Sequence, residues 1–182
     1  MIEKKIKTIE TFQGDLLNLH KDSVELTNGV ISTREWIKHP GAACCIPILP
    51  NSEIGLIKQF RYAIGQEMIE LPAGKIDKNE KPIECARREL EEEIGYKAQK
   101  FTFLTEIHPA IGFCNEKISI YLAEKLIKTR TQLDPDECVE LIPTTMKKAI
   151  EMIECGLITD AKTIIGLLWY EKYLLKKKKP II

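Results

Sequence analysis

Between Gly74 and Tyr96 the chain reads GKIDKNEKPIECARRELEEEIGY, and few folds accommodate such a stretch. Pro82 suits the first turn of a helix, where its missing N–H does little harm, and Gly95 suits the left-handed position that ends one. Ile83, Ala86, Leu90 and Ile94 recur between them at the helical period and form an apolar stripe. The other side carries Arg88, Glu89, Glu92 and Glu93. Like charges four residues apart on a helix repel by roughly 0.2–0.5 kcal/mol per pair. Such a helix lays its stripe on a core while its carboxylates meet solvent, arginines or a cation. Glu93 lies one turn beyond Glu89 with Glu92 alongside, an oxygen-rich face suited to Mg²⁺ or Mn²⁺. Gly74 lets neighbouring backbone, the Ala73 carbonyl in particular, approach the same ions. Glu80 is placed to bond back to the helix or to pair with Arg88.

The flanking sequence reads mainly as strands. Residues 1 to about 38 alternate and turn, with signals at Gln13-Gly14 and at Asn28-Gly29, a pair that favours a two-residue hairpin turn. AACCIPILP and EIGLIKQFRY form two β-rich runs joined through Pro50-Asn51-Ser52, which predicts another hairpin. EMIELPAGKI reads as one strand ending at Pro72-Ala73-Gly74. Further strands are expected near 100–108 and 117–126 and at CVELIP. TTMKKAIEMIECG reads as a capped helix ending at Gly156, and a last helix starts at Asp160. Antiparallel strands with a few helices make the chain α+β.

At 182 residues the chain suits one domain with at most a small extra lobe. Lysine plus arginine and aspartate plus glutamate balance at 27 each, so no basic field invites nucleic acid; the run Lys176–Lys179 reads as a solvated tail. The six cysteines show no metal-ligand spacing, and adjacent Cys44 and Cys45 point to opposite faces of a strand. The N-terminus lacks the apolar core of a signal peptide, and no window approaches the ~18 apolar residues of a membrane span. A reduced, cytoplasmic protein with no membrane partner is expected.

The spacing Gly74, Glu80, Arg88, Glu89, Leu90, Glu92, Glu93, Gly95 follows G-x5-E-x7-R-E-U-x-E-E-x-G-U, with U aliphatic and Tyr96 in the last aliphatic slot. At ordinary residue usage its fixed positions match by chance on the order of 10⁻⁸ or less per start. A charged, solvated helix accounts for ELEEE but not for the full spacing. On this motif the chain resembles the Nudix hydrolases, and the resemblance implies an α/β/α sandwich with a mixed sheet. It also implies metal-dependent hydrolysis of a nucleoside diphosphate linked to another moiety, with Mg²⁺ or, in its place, Mn²⁺. Ala73, Glu89 and Glu93 would be metal ligands, Glu92 a further ligand or part of the base system, and Arg88 the orienting partner of a glutamate.

Outside the motif HPGAACCIPILP, IKQFRY, IELPAGKID and CGLITDAKTIIGLLWY are similar to the ADP-ribose pyrophosphatase group. That resemblance implies cleavage of ADP-ribose to AMP and ribose 5-phosphate, or of another nucleoside diphosphate sugar. The remaining alternative is a nucleotide-sugar-binding module without catalysis. A Q-x-R strand gives Gln59 and Arg61, with Arg61 a candidate phosphate ligand and Glu70 a candidate for substrate or metal contact. A surface ion pair and an edge-strand salt bridge are their plain alternatives. The group forms homodimers through N-terminal strands, which implies a β lobe over 1–40 and a catalytic domain over 41–182. Trp36 is a candidate for stacking on adenine, or simply for packing. The group has proline before a glycine after the motif, where this chain has Ile111 before Gly112, and Pro135 replaces one of two loop glutamates. Glu137 is then the candidate loop carboxylate for metal or base, with Asp134 and Asp136 behind it, and Glu116 is a candidate on the substrate side.

Overall fold

The computed structural model describes residues 1–133, 135 and 137–178, so Asp134 and Asp136 lie outside the described residues. The chain divides into two compact units, Met1–Gly41 with His108–Lys117, and Ala42–Ile107 with Ile118 onward.

In the first unit β1 (Lys4–Gln13), β2 (Asn18–Glu25) and β3 (Ile31–Ile37) form an antiparallel sheet in that order. The β2–β3 turn differs from the two-residue form expected. Glu25 pairs with Ile31, Leu26 N–H donates to Val30 O at 2.9 Å, and Thr27, Asn28 and Gly29 make the bend. Gly29 takes φ 80°, and Asn28 Oδ1 accepts from Val30 N at 3.2 Å. A glycine that closes a turn in the left-handed region produces this wider loop. Segment 108–117, expected with the catalytic domain, belongs to this unit: Ile37 N–H donates to Phe113 O at 2.7 Å and His39 N–H to Asn115 Oδ1 at 2.7 Å.

The second unit contains β4 (Ala42–Pro47), β5 (Ile54–Arg61), β6 (Gln66–Glu70), β7 (Ala73–Lys75), α1 (Pro82–Ile94), β8 (Tyr96–Ile107), β9 (Ile118–Lys128), β10 (Val139–Thr144), α2 (Met146–Glu154) and α3 (Ala161–Lys178). One mixed sheet runs β7-β4-β9-β8, with β4 parallel to β9, and an antiparallel sheet runs β10-β5-β6. The hairpin expected between residues 42–50 and 53–62 stops at a single bridge, Ile48 to Ile54. Its turn forms, with Leu49 N–H donating to Glu53 O at 2.8 Å, but β4 and β5 then take partners in different sheets. EMIELPAGKI likewise breaks at Leu71-Pro72, because β6 pairs with β5 while β7 pairs with β4. Proline lacks the N–H that a continuous ladder needs.

β4 shows why this unit is a three-layer sandwich. Ala43 and Cys45 face one core with Ile57, Tyr121 and Ala123, closed by Cys85, Ala86, Leu90 and Ile94 of α1. Cys44 and Ile46 face the other, with Leu56, Ala149 and Met152 of α2, and Leu167 of α3. A strand buried on both faces reads as an unbroken apolar run rather than an alternating one. Tyr96 packs on the α1 side. Gly95 ends α1 at φ 69°, and its N–H reaches Leu90 O and Glu91 O. Thr145 caps α2, its hydroxyl accepting from Lys148 N at 3.3 Å.

Candidate active site

The helix stripe fixes where the carboxylates go. With Leu90 and Ile94 inward, Glu89 and Glu93 are carried to the edge of β7, where they are 7% and 5% exposed. Glu93 Oε2 accepts from Ala73 N at 3.0 Å. Glu89 lies against Gly74 so closely that a Cβ built on that glycine would stand 1.7 Å from Glu89 Oε1. Gly74 is required here because it has no side chain.

Arg88 gathers the remaining acids. Its Nε donates to Glu80 Oε1 at 2.9 Å, and Nη2 to Glu80 Oε2 at 3.1 Å and to Lys75 O at 3.1 Å. Nη1 donates to Glu89 Oε1 at 2.6 Å and to Glu92 Oε2 at 3.0 Å. Glu80 thus meets Arg88 in a fork and also accepts from Asp77 N at 2.9 Å. With Glu89 and Glu92 drawn to one guanidinium nitrogen and Glu93 to Ala73 N, no three His, Cys, Asp or Glu side chains among the described residues are grouped closely enough to hold a metal ion. The donor set still fits a hard cation: two buried carboxylates flank a strand whose glycine leaves them room.

Electrostatics point the same way. Burial raises Glu89 to about 7, against the pull of Arg88, and Glu92 and Glu137 raise it further by repulsion. Burial raises Glu93 to about 8, with repulsion from Glu89 and Glu137 adding to it. The charge of Glu137 is therefore felt at both. The loop before it is tied to α1 and its cap, through Gln132 N–H to Glu92 O at 2.9 Å and Thr129 N–H to Gly95 O at 2.7 Å.

These shifts have a sign. The folded pair keeps protons that an unfolded chain, with carboxyls near their ordinary values, has released. Its contribution to stability is full below the unfolded pKa and is lost as pH rises through 7 to 8. The Tm of protein stripped of metal is expected to fall between about pH 6 and about pH 9, by the equivalent of on the order of 3 kcal/mol. Added Mg²⁺ should restore most of it at the upper end. A Tm unaffected by either pH or Mg²⁺ in that range would exclude this electrostatic account.

Beside Glu93, Arg61 Nε and Nη2 grip Glu70 at 2.7 and 2.9 Å. Glu70 is 3% exposed, and despite that burial its two cationic neighbours, Arg61 and Lys162, hold its carboxyl down at about 2. Lys162 Nζ also donates to Glu70 Oε2 and, at 3.0 Å, to Asp160 Oδ2.

The chain matches the NUDIX domain over residues 38–152. It is 39% identical over 167 residues to the ADP-ribose pyrophosphatase of Bacillus subtilis (strain 168), covering 91% of this chain and 90% of that one. This protein belongs to the NUDIX family. It is a Nudix hydrolase. It is also 40% identical over 167 residues to the methanol dehydrogenase activator of Bacillus methanolicus, covering 91% of this chain and 90% of the other. Its fold is that of a solved ADP compounds hydrolase, with a TM-score of 0.88, 21% identity, and 98% and 97% of the two chains covered.

In this Nudix hydrolase the second unit brings together Arg61, Glu70, Ala73, Gly74, Glu80, Arg88, Glu89, Glu92 and Glu93, with Glu137 acting on the pair by its charge. Trp36 and Glu116 lie in the first unit. Trp36 stacks one ring face on His20, with centroids 4.8 Å apart, and its Nε1 donates to Asp22 at 2.8 Å. It lines a cavity of about 360 Å³ with Arg34, His108 and Phe113. Glu116 Oε1 lies 3.6 Å from His39 Nδ1, which also faces Gly41 N at 3.1 Å.

Lys162 and Asp160 escaped the sequence reading, which used Asp160 only as a helix start. The signal was the position of Lys162: a cation in the first turn of a helix opposes the helix dipole and calls for a local anion.

Proposed function

We propose that this enzyme hydrolyses the pyrophosphate of a nucleoside diphosphate sugar with Mg²⁺ bound, Mn²⁺ serving in its place. ADP-ribose is the proposed substrate, giving AMP and ribose 5-phosphate. The observation that carries the reading is the buried Glu89–Glu93 pair beside Gly74, two carboxylates whose mutual repulsion a bound cation would relieve. The similarity to an ADP-ribose pyrophosphatase over nine-tenths of both chains supports the choice of substrate.

Glu89, Glu93 and the Ala73 carbonyl would hold the cation, with Glu92 or Glu137 as a further ligand. A divalent ion bound there neutralises phosphate oxygens and lowers the pKa of an attacking water. Whichever of Glu92 and Glu137 is not a ligand accepts the proton of that water. Arg88 keeps Glu80, Glu89 and Glu92 aligned, and an arginine holds such a set more firmly than lysine would because its donors form a rigid fork. Arg61 is committed to Glu70 through Nε and Nη2, while its Nη1 makes no hydrogen bond among the described residues, which suits a phosphate oxygen. Trp36 offers a stacking surface for adenine, and Glu116 a polar contact on the substrate side. The N-terminal sheet is proposed to join two copies into a homodimer. Reducing conditions in the cytoplasm agree with six free cysteines.

A methanol dehydrogenase activator is similar to this chain at the same level of identity, so identity alone does not fix the role. The complete glutamate set favours cleavage. The test is a panel of nucleoside diphosphate compounds with Mg²⁺ or Mn²⁺ and identification of products. AMP and ribose 5-phosphate released fastest from ADP-ribose is the expected result. Faster cleavage of a hexose conjugate would reassign the substrate, and no product from any compound would leave only a nucleotide-sugar-binding module.

A further inference from the structure

Lys162 is buried, 9% exposed, in the first turn of α3, a poor place for a cation on two counts. It is kept there by two acids, Glu70 and Asp160. Asp160 Oδ2 also accepts from Thr163 N at 2.9 Å and Thr163 Oγ1 at 2.6 Å, and Thr163 Oγ1 accepts from Leu71 N at 2.8 Å. The start of α3 is thus fastened to Glu70 and Leu71, the two residues that link β6 to the Pro72-Ala73-Gly74 approach. Two acids and two bases make the cluster electrically neutral.

The arrangement at Glu70 is asymmetric. Oε1 serves Arg61 alone, whereas Oε2 serves both Arg61 Nη2 and Lys162 Nζ. Lys162 is itself committed to Glu70 and Asp160, whose side chains are 4% and 21% exposed. Arg61 is 41% exposed at its side chain and has a nitrogen to spare. We propose that Lys162 is a positioning residue for substrate: by holding the Glu70 carboxylate from behind, it makes Glu70 present Nη1 of Arg61 to the pyrophosphate. This deepens the function proposed above and rests on the reading of Arg61 as a phosphate ligand. Lacking Lys162, Glu70 keeps one cation instead of two, Asp160 loses its counter-charge, and Arg61 has no fixed base to project from.

Steady-state kinetics of Lys162→Met, Lys162→Arg, Arg61→Ala and the double variant Arg61→Ala/Lys162→Met test this on the best substrate from the panel. Lys162→Met is expected to raise KM about 10-fold or more with kcat within about 3-fold, and Lys162→Arg to recover most of the loss. In the Arg61→Ala background Lys162→Met should add no more than about 2-fold, since the group it positions is already gone. A merely structural lysine would give the same factor in both backgrounds, and that result, or an unchanged KM in Lys162→Met, overturns the proposal. Wild-type KM in Arg61→Ala is a distinct outcome that removes the phosphate contact and the proposal with it. If Lys162→Met does not fold, Glu70→Gln takes its place: KM should rise, again without adding to Arg61→Ala, and an unchanged KM overturns the proposal.

Discussion

Glu93→Gln is expected to lower kcat by about 10³-fold or more while making the metal-free protein more stable. The two effects have one origin. Glutamine keeps an oxygen to accept the hydrogen bond from Ala73 N, so the link between α1 and β7 survives. It removes a carboxylate that burial and two neighbouring glutamates have pushed up to about 8. Above that pH the wild-type group is forced to ionise in a dry, acidic place, and the variant is spared this. The gain should be on the order of 1–3 kcal/mol near pH 9 and should vanish near pH 5, where the wild-type group is protonated. The rise in Tm that Mg²⁺ gives the wild type should shrink in the variant. Thermal melts with and without Mg²⁺, beside turnover measurements, check both halves. Turnover within about 10-fold of wild type would mean that the cation is held without Glu93.

Gly74→Ala should do comparable damage by steric means. The added methyl would stand 1.7 Å from Glu89 Oε1 and 2.1 Å from its Cδ, well inside contact distance. Glu89 is buried and held by Arg88 at 2.6 Å, so its carboxylate has no easy retreat. Either Glu89 leaves the site or β7 shifts away from α1. A loss of about 100-fold in kcat and on the order of 2 kcal/mol in stability is expected. Adding Glu89→Ala should return the stability, by removing the clash, without returning the activity. Wild-type turnover in Gly74→Ala would show that Glu89 works from somewhere else.

Where the chemistry is local, it was legible in the sequence. Pro82, the apolar stripe and Gly95 delimit α1 because helical period and capping act within a few residues. The same spacing placed Glu89 and Glu93 on one face. What the pattern could not carry was how carboxylates share partners: Arg88 Nη1 divides itself between Glu89 and Glu92, a matter of rotamers and not of spacing. Distant pairings were also hidden. The turn at Pro50-Asn51-Ser52 was readable, yet β4 leaves β5 after one bridge because β9 and β7 are better partners for a strand buried on both faces. The Lys162–Glu70 pair joins a helix start to a strand end far along the chain, and no periodicity reports such a contact.

The strand bearing Gly74 is the sheet's edge, three residues long, and among the described residues its only ladder partner is β4. β4 in turn lies parallel to β9, Ala42 beside Ile118, a pairing that closes a long loop before it returns any contact energy. During synthesis, α1 with its glutamates is therefore made well before β9, the strand that locks β4 in place. β4, β7 and the acidic helix come first, and the strand that secures β4 follows them. Refolding of the chain should accordingly be slow to recover activity relative to helix content, since the site depends on a ladder whose strands lie far apart in the chain.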